Sequence, residues 1–147
     1  MSSGNKVYKV EGVYDYNIKN DWAIIKVDGK DFPYLEIDES EVVGGATVYA
    51  IGSPLGLDNT ISQGLISNTN RVLDNVRFIQ TSAATSSGSS GGALINKSGK
   101  VIGITSAGFP GGENLNLVLP ISVIKGYKKN RATPLSAVGT SGNKALG

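Results

Sequence analysis

The sequence contains no cysteine and no histidine among its 147 residues. Without cysteine there is no disulfide, no thiolate nucleophile and no sulfur ligand for structural zinc. Without histidine there is neither the usual general base near neutral pH nor the commonest metal ligand. We therefore expect no metal and no other cofactor, and proton transfer at any catalytic site needs a base that this chain does not supply as imidazole.

Charge and long apolar runs are also scarce. A formal net charge of +2 at pH 7 is too small to indicate a nucleic-acid partner. No apolar stretch approaches membrane-spanning length and no charged-then-apolar leader is present, so we expect no membrane span and no signal peptide in this chain. Glycine, in contrast, is abundant at 20 residues. Together with alternating Val and Ile it predicts a mainly β domain of many short strands joined by tight turns.

Apolar and polar residues alternate along several short segments. In the middle of the chain they predict strands at 46–51, 60–67, 76–80, 93–95, 101–105 and 115–119. This spacing is typical of a small barrel or a sandwich. Two earlier strands are predicted at 6–13 and 21–27, with a polar turn from Tyr14 to Asn20. Pro120 predicts the start of one short helix over 121–130, and 131–147 is predicted to be a loose tail.

A loop of small residues lies between two apolar segments, and its centre is Gly88-Ser89-Ser90-Gly91-Gly92. Runs of Ser and Gly are usually flexible linkers or phosphate-binding loops. A linker seldom leads straight into a buried strand such as Ala93-Leu94-Ile95, and the Lys-Ser or Lys-Thr that ends a phosphate loop is missing. Glycines around a serine let successive N–H groups converge while the hydroxyl projects. The pattern indicates an acyl-transfer nucleophile, with a plain structural turn as the alternative.

Other motifs accompany this loop in a fixed order. They are Asp21-Trp22-Ala23-Ile24-Ile25-Lys26-Val27, Val48-Tyr49-Ala50-Ile51-Gly52-Ser53-Pro54-Leu55-Gly56, Gly64-Leu65-Ile66-Ser67, Phe78-Ile79-Gln80-Thr81, the loop itself and Gly103-Ile104. Together they resemble the trypsin-like serine peptidases of the HtrA/Deg branch. The resemblance implies an all-β chain built on a Greek-key, six-stranded β-barrel, the second of two, at 41–120. Residues 1–40 then hold the last strands of the first barrel and the connector, and we expect the rest of that barrel, with its histidine, to be missing.

The resemblance also implies roles for individual residues. It places the nucleophile at Ser90 and the orienting carboxylate at Asp21, although an acidic residue before a strand is often only a turn cap. The backbone N–H groups of Gly88 and Ser90 form the implied oxyanion hole. The implied specificity pocket comprises Ala84, Thr85, Thr105, Ser106, Ala107, Asn116, Leu117 and Val118. Because these stretches contain no acidic residue, we expect a pocket for small or medium aliphatic side chains.

We therefore predict part of an HtrA-like serine endopeptidase, acting on polypeptides through an acyl-enzyme and inactive alone for want of histidine. The alternative is a non-catalytic pseudo-peptidase domain that serves as a scaffold or binds extended peptides along a strand edge near Thr105. The resemblance implies an extracytoplasmic or membrane-anchored parent protein.

The missing part of the first barrel has a further expected consequence. Val7, Val10, Val13, Trp22 and Ile24 are expected to leave apolar surface and unpaired strand edges. We expect either self-association through these edges or refolding of the residues before about Lys30.

Overall fold

The computed structural model describes residues 2–3, 6–52, 60–85, 90–106, 116–125 and 134. These residues contain ten strands and a single turn of 3-10 helix. They fall into two compact units, one comprising the described residues up to Tyr34 together with Pro134, and the other running from Leu35 to Lys125. No helix in the described ranges is long and apolar enough to cross a membrane.

The first unit consists of two antiparallel ribbons. Strands β1 (Ser2–Ser3) and β2 (Lys6–Val7) form the shorter one, and β3 (Val10–Asn17) pairs with β4 (Trp22–Val27) in the longer one. The predicted turn from Tyr14 to Asn20 was wrong at its start, because β3 continues through Asn17 and the chain reverses only at 18–21. The strand tolerates polar residues there because a two-stranded ribbon leaves its backbone pairing intact whichever side chains face water.

Four of the five apolar residues expected to leave exposed surface have described side chains, and the Val7 side chain lies outside the described part of the chain. Val13 is buried, and Val10, Trp22 and Ile24 are half-buried. Self-association through this part of the chain stays a prediction.

The second unit contains a closed barrel of six antiparallel strands, which confirms the predicted barrel over the sandwich. The strands are β5 (Thr47–Gly52), β6 (Thr60–Leu73), β7 (Val76–Thr81), β8 (Ala93–Asn96), β9 (Val101–Thr105) and β10 (Asn116–Pro120), and they close in the order β10-β7-β6-β5-β8-β9. A 3-10 turn, Ile121–Ile124, follows β10 at the start of the predicted helix. Residues 126–130 of that helix lie outside the described residues.

Alternate side chains of the strands point into the barrel and form its core. The fully or nearly fully buried cluster comprises Val48, Ala50, Ile66, Ile79, Ala83, Leu94, Ile102 and Val118. Every barrel strand supplies at least one of these residues. Burial of each Val, Ile or Leu side chain in this cluster contributes about 1.5–3 kcal/mol, so the cluster holds the strands in one register.

At one end of the barrel, strands β7 and β9 finish and their neighbours β10 and β8 begin. The register pairs Thr81, the last residue of β7, with Asn116, the first of β10, and it pairs Val118 of β10 with Thr105, the last residue of β9. Ala93, the first residue of β8, pairs with Ile104 of β9. The segments that leave or enter these strands are therefore brought together there, and they include the Ser/Gly loop.

Candidate active site

Ser90 is exposed and lies in a turn that leads through Gly91 and Gly92 into β8. Gly91 has φ of 90°, a backbone conformation that residues with a side chain rarely adopt. A Cβ placed on Gly91 would meet no heavy atom within 4 Å. The need for glycine after Ser90 therefore comes from the backbone conformation and not from crowding.

Both glycines are hydrogen-bonded to Thr105 at the end of β9. The Gly91 N–H donates to the Thr105 carbonyl oxygen at 2.7 Å, and the Thr105 N–H donates to the Gly92 carbonyl oxygen at 2.9 Å. The Thr105 hydroxyl accepts the Gly92 N–H at 3.0 Å and donates to the Gly92 carbonyl oxygen at 3.3 Å. Thr105 is only 3% exposed. The segment after Ser90 is thus held on a buried residue of the barrel wall.

The segment that precedes the loop is held against β6. Ser82 Oγ accepts the N–H of Leu65 at 3.0 Å, and the Ser82 N–H donates to the Leu65 carbonyl oxygen at 3.0 Å. The Ser62 hydroxyl donates to the Ala84 carbonyl oxygen at 2.6 Å. Ser82 is not among the site residues predicted from the sequence. Its hydroxyl supplies the acceptor that the β6 backbone needs here.

A cavity of ≈ 230 Å³ lies between β5, β6, residues 84–85 and the end of β9. It is lined by Ala50, Ile51, Gly52, Thr60, Ile61, Ser62, Ala84, Thr85 and Thr105. Ala84, Thr85 and Thr105 belong to the predicted specificity pocket, whereas the residues from β5 and β6 were missed. None of the described residues lining the cavity is charged, so its walls offer methyl groups, hydroxyls and backbone to a bound side chain.

The other residues of the predicted pocket have different surroundings. The Thr85 hydroxyl donates to Asn116 Oδ1 at 3.0 Å, and the Ser106 N–H donates to the Leu117 carbonyl oxygen at 3.0 Å. The Leu117 and Val118 side chains are 1% and 0% exposed. Gly88, half of the predicted oxyanion hole, and Ala107 lie outside the described residues.

Asp21 belongs to the first unit, and Ser90 to the second. Asp21 is exposed, has φ of 59° and closes the turn before β4, where its N–H donates to the Ile18 carbonyl oxygen at 3.3 Å. Its local geometry is that of a turn residue. Across the part of the chain that the structure covers, no three acidic side chains are grouped as metal ligands would be.

Replacing Gly91 by alanine tests whether its backbone conformation holds the site. We expect Gly91→Ala to lower the free energy of unfolding by about 1–2 kcal/mol. It should also speed hydrogen exchange of the Thr105 N–H, because the acceptor of that N–H is the carbonyl oxygen of Gly92, the residue that follows Gly91. Gly45 is a matched control, because it has φ of 85° and equally open surroundings. Gly45→Ala should lower the free energy of unfolding by a similar amount. It should not produce a specific increase in hydrogen exchange at the Thr105 N–H. Equal effects of both variants on Thr105 would contradict this prediction.

Comparison with known proteins adds independent information. The model of the trypsin-like peptidase domain family matches residues 1–104. A probable periplasmic serine endoprotease, DegP-like, of Pseudomonas fluorescens is 42% identical over 115 residues, which cover 71% of this chain and 24% of that protein. The putative serine protease HhoB of Synechocystis is 38% identical over 133 residues, covering 85% and 31%.

Solved structures give the same result. The HtrA-type protease AlgW with a decapeptide has a TM-score of 0.69 at 32% identity, covering 77% of this chain and 37% of that chain. A serine endoprotease from Yersinia pestis has a TM-score of 0.67 at 29% identity, covering 80% and 42%. The chain therefore spans about a quarter to a third of the two curated relatives and about two fifths of the two solved chains.

Proposed function

Because this chain belongs to the trypsin-like peptidase domain family, in its HtrA-type branch, we propose that Ser90 is the nucleophile of a serine endopeptidase. One observation carries this proposal: an exposed serine is followed by two glycines hydrogen-bonded to the buried Thr105. A nucleophile needs a hydroxyl that substrate can reach and a backbone that does not move as it attacks.

In the proposed reaction, Ser90 Oγ attacks the carbonyl carbon of a peptide bond and its proton passes to a base. The N–H groups of Gly88 and Ser90 stabilise the negative charge that develops on the carbonyl oxygen. Collapse of the tetrahedral intermediate breaks the C–N bond, and the amine leaves with the proton held by the base. Water then hydrolyses the ester on Ser90 and regenerates the hydroxyl.

The base is the part that this chain does not contain, since it has no histidine. Loss of triad members in serine peptidases typically costs about four to six orders of magnitude in turnover. We propose that the chain alone does not turn over peptides, and that Asp21 acts as the orienting carboxylate only when a histidine is supplied.

The cavity beside Thr105 supports a preference among polypeptide substrates. Its ≈ 230 Å³ and its uncharged described lining suit a small or medium aliphatic side chain, such as Val, Ala or Leu, before the cleaved bond. A lysine or arginine side chain would find no carboxylate among these lining residues. Apolar walls of this kind discriminate by size.

A fluorophosphonate probe tests Ser90 directly in the full chain. Ser90 Oγ bonds to phosphorus and displaces fluoride, which leaves with the hydroxyl proton as HF. Intact mass spectrometry should show one slow adduct per chain, and Ser90→Ala should abolish it. Ser89→Ala is the matched control and should keep the adduct. If the wild-type chain forms no adduct, or Ser90→Ala labels equally, the nucleophile proposal fails in favour of the non-catalytic peptide-binding or scaffold alternative.

A further inference from the structure

The hydroxyl of Thr105 makes contacts that the sheet itself does not require. The bonds from the Gly91 N–H to the Thr105 carbonyl, and from the Thr105 N–H to the Gly92 carbonyl, use backbone atoms and would form with most residues at this position. The Gly92 N–H, in contrast, is given to the side-chain oxygen at 3.0 Å. A valine has nearly the same shape as threonine and would leave that N–H without this acceptor.

The hydroxyl contacts both polar atoms of a single residue. It accepts from the Gly92 N–H and donates to the Gly92 carbonyl oxygen at 3.3 Å. Two consecutive glycines have the widest backbone freedom that a chain can have. Contacts at both the N–H and the carbonyl of Gly92 restrict rotation where that freedom would otherwise reorient the preceding Ser90.

We infer that Thr105 is a positioning residue, whose hydroxyl fixes the Gly92 backbone and thereby the direction of the Ser90 side chain. Burial at 3% exposure keeps competing water from this hydroxyl. The same residue lines the cavity of ≈ 230 Å³, so the nucleophile turn and the cavity wall share one residue. The inference rests on the proposed function, because it assigns the purpose of the constraint to Ser90.

The test compares Thr105→Val with Thr105→Ser in the full chain. Amide hydrogen exchange is followed by NMR at Gly92, with the Gly91 and Thr105 N–H groups as internal controls because their acceptors are backbone oxygens. Thr105→Val should speed exchange selectively at Gly92, by about five- to tenfold. It should slow fluorophosphonate labelling of Ser90 by a similar factor. Thr105→Ser keeps the hydroxyl and should restore both values.

The outcomes separate this inference from the proposed function. Unchanged Gly92 exchange in Thr105→Val, or faster exchange at all three amides alike, overturns the positioning role and leaves Ser90 as nucleophile. Selective loss of exchange protection at the Gly92 N–H, with an unchanged rate of Ser90 labelling, also overturns the positioning role. Absence of labelling in the wild-type chain overturns the proposed function and with it the assignment of the constraint to Ser90. If Thr105→Val does not fold, Thr105→Ala against Thr105→Ser gives the same comparison.

Discussion

Gly64→Ala is expected to lower the free energy of unfolding of the barrel by about 3 kcal/mol or more. A Cβ on Gly64 would lie 2.2 Å from the nitrogen and 2.6 Å from the Cα of Ala83, and 2.8 Å from the carbonyl carbon of Ser82. These are backbone atoms, which cannot rotate aside as a flexible side chain can. Relief of the clash requires β6 and the 82–84 segment to separate, which breaks the paired hydrogen bonds between Ser82 and Leu65.

Urea denaturation followed by far-ultraviolet circular dichroism measures this loss. Gly44→Ala is the matched control in the same unit, because a Cβ there meets nothing within 4 Å. It should change the free energy of unfolding by less than about 0.5 kcal/mol. Wild-type stability of Gly64→Ala would show that β6 does not pack this closely against the segment before Ser90.

Gly64 is a residue that the sequence marked as part of a motif without revealing why a glycine is needed there. The motif Gly64-Leu65-Ile66-Ser67 supported the family resemblance, but only the structure shows that the glycine lets a neighbouring backbone approach. The strands were predictable because local alternation and burial coincide, as in Val48 and Ala50 of β5, whose side chains share the core.

Strand β6 was predicted too short because its second half lacks that alternation. The prediction ended at Ser67, whereas the strand continues to Leu73 with irregular register near Asn68. Asp74 and Asn75, with φ of 51° and 63°, form the two-residue turn to β7. Such a pair of positive φ angles is typical of a tight hairpin turn that matches the strand twist. Pairing across this turn, and not an apolar pattern, extends β6.

The candidate site likewise has one part that the sequence could predict and one part that it could not. The loop around Ser90 could be found from sequence because glycine and serine act through local backbone geometry. The bonds that hold the loop join residues 13 positions apart for Gly92 and Thr105, and 17 apart for Leu65 and Ser82. Such partners depend on strand register, which residue spacing alone does not give.

Supplying the missing base is expected to have the largest effect of all. A hydroxyl held beside oxyanion donors, but without a proton acceptor, retains only the contribution of binding and charge stabilisation. A hydroxyl with its base regains the rest of the catalytic rate acceleration. We expect that increase in rate to depend on both Ser90 and Asp21. The family resemblance places the histidine upstream of Asp21, so a relative's histidine-bearing first barrel can be fused ahead of that residue.

This fusion should cleave a peptide with Val before the scissile bond at least about 10⁴-fold faster than the unfused chain. Release of a fluorogenic group measures the rate. Within the fusion, Ser90→Ala should remove the activity, Ser89→Ala should retain it, and Asp21→Asn should lower the rate by about four orders of magnitude.

The cavity, with no charge among its described lining residues, should favour Val, Ala or Leu over Lys or Arg by tenfold or more, on the order of what pocket fit supplies. Cleavage after Lys or Arg in preference to these would mean that the cavity does not receive the substrate side chain. Full activity of the Asp21→Asn fusion would reduce Asp21 to the turn residue that its local geometry describes.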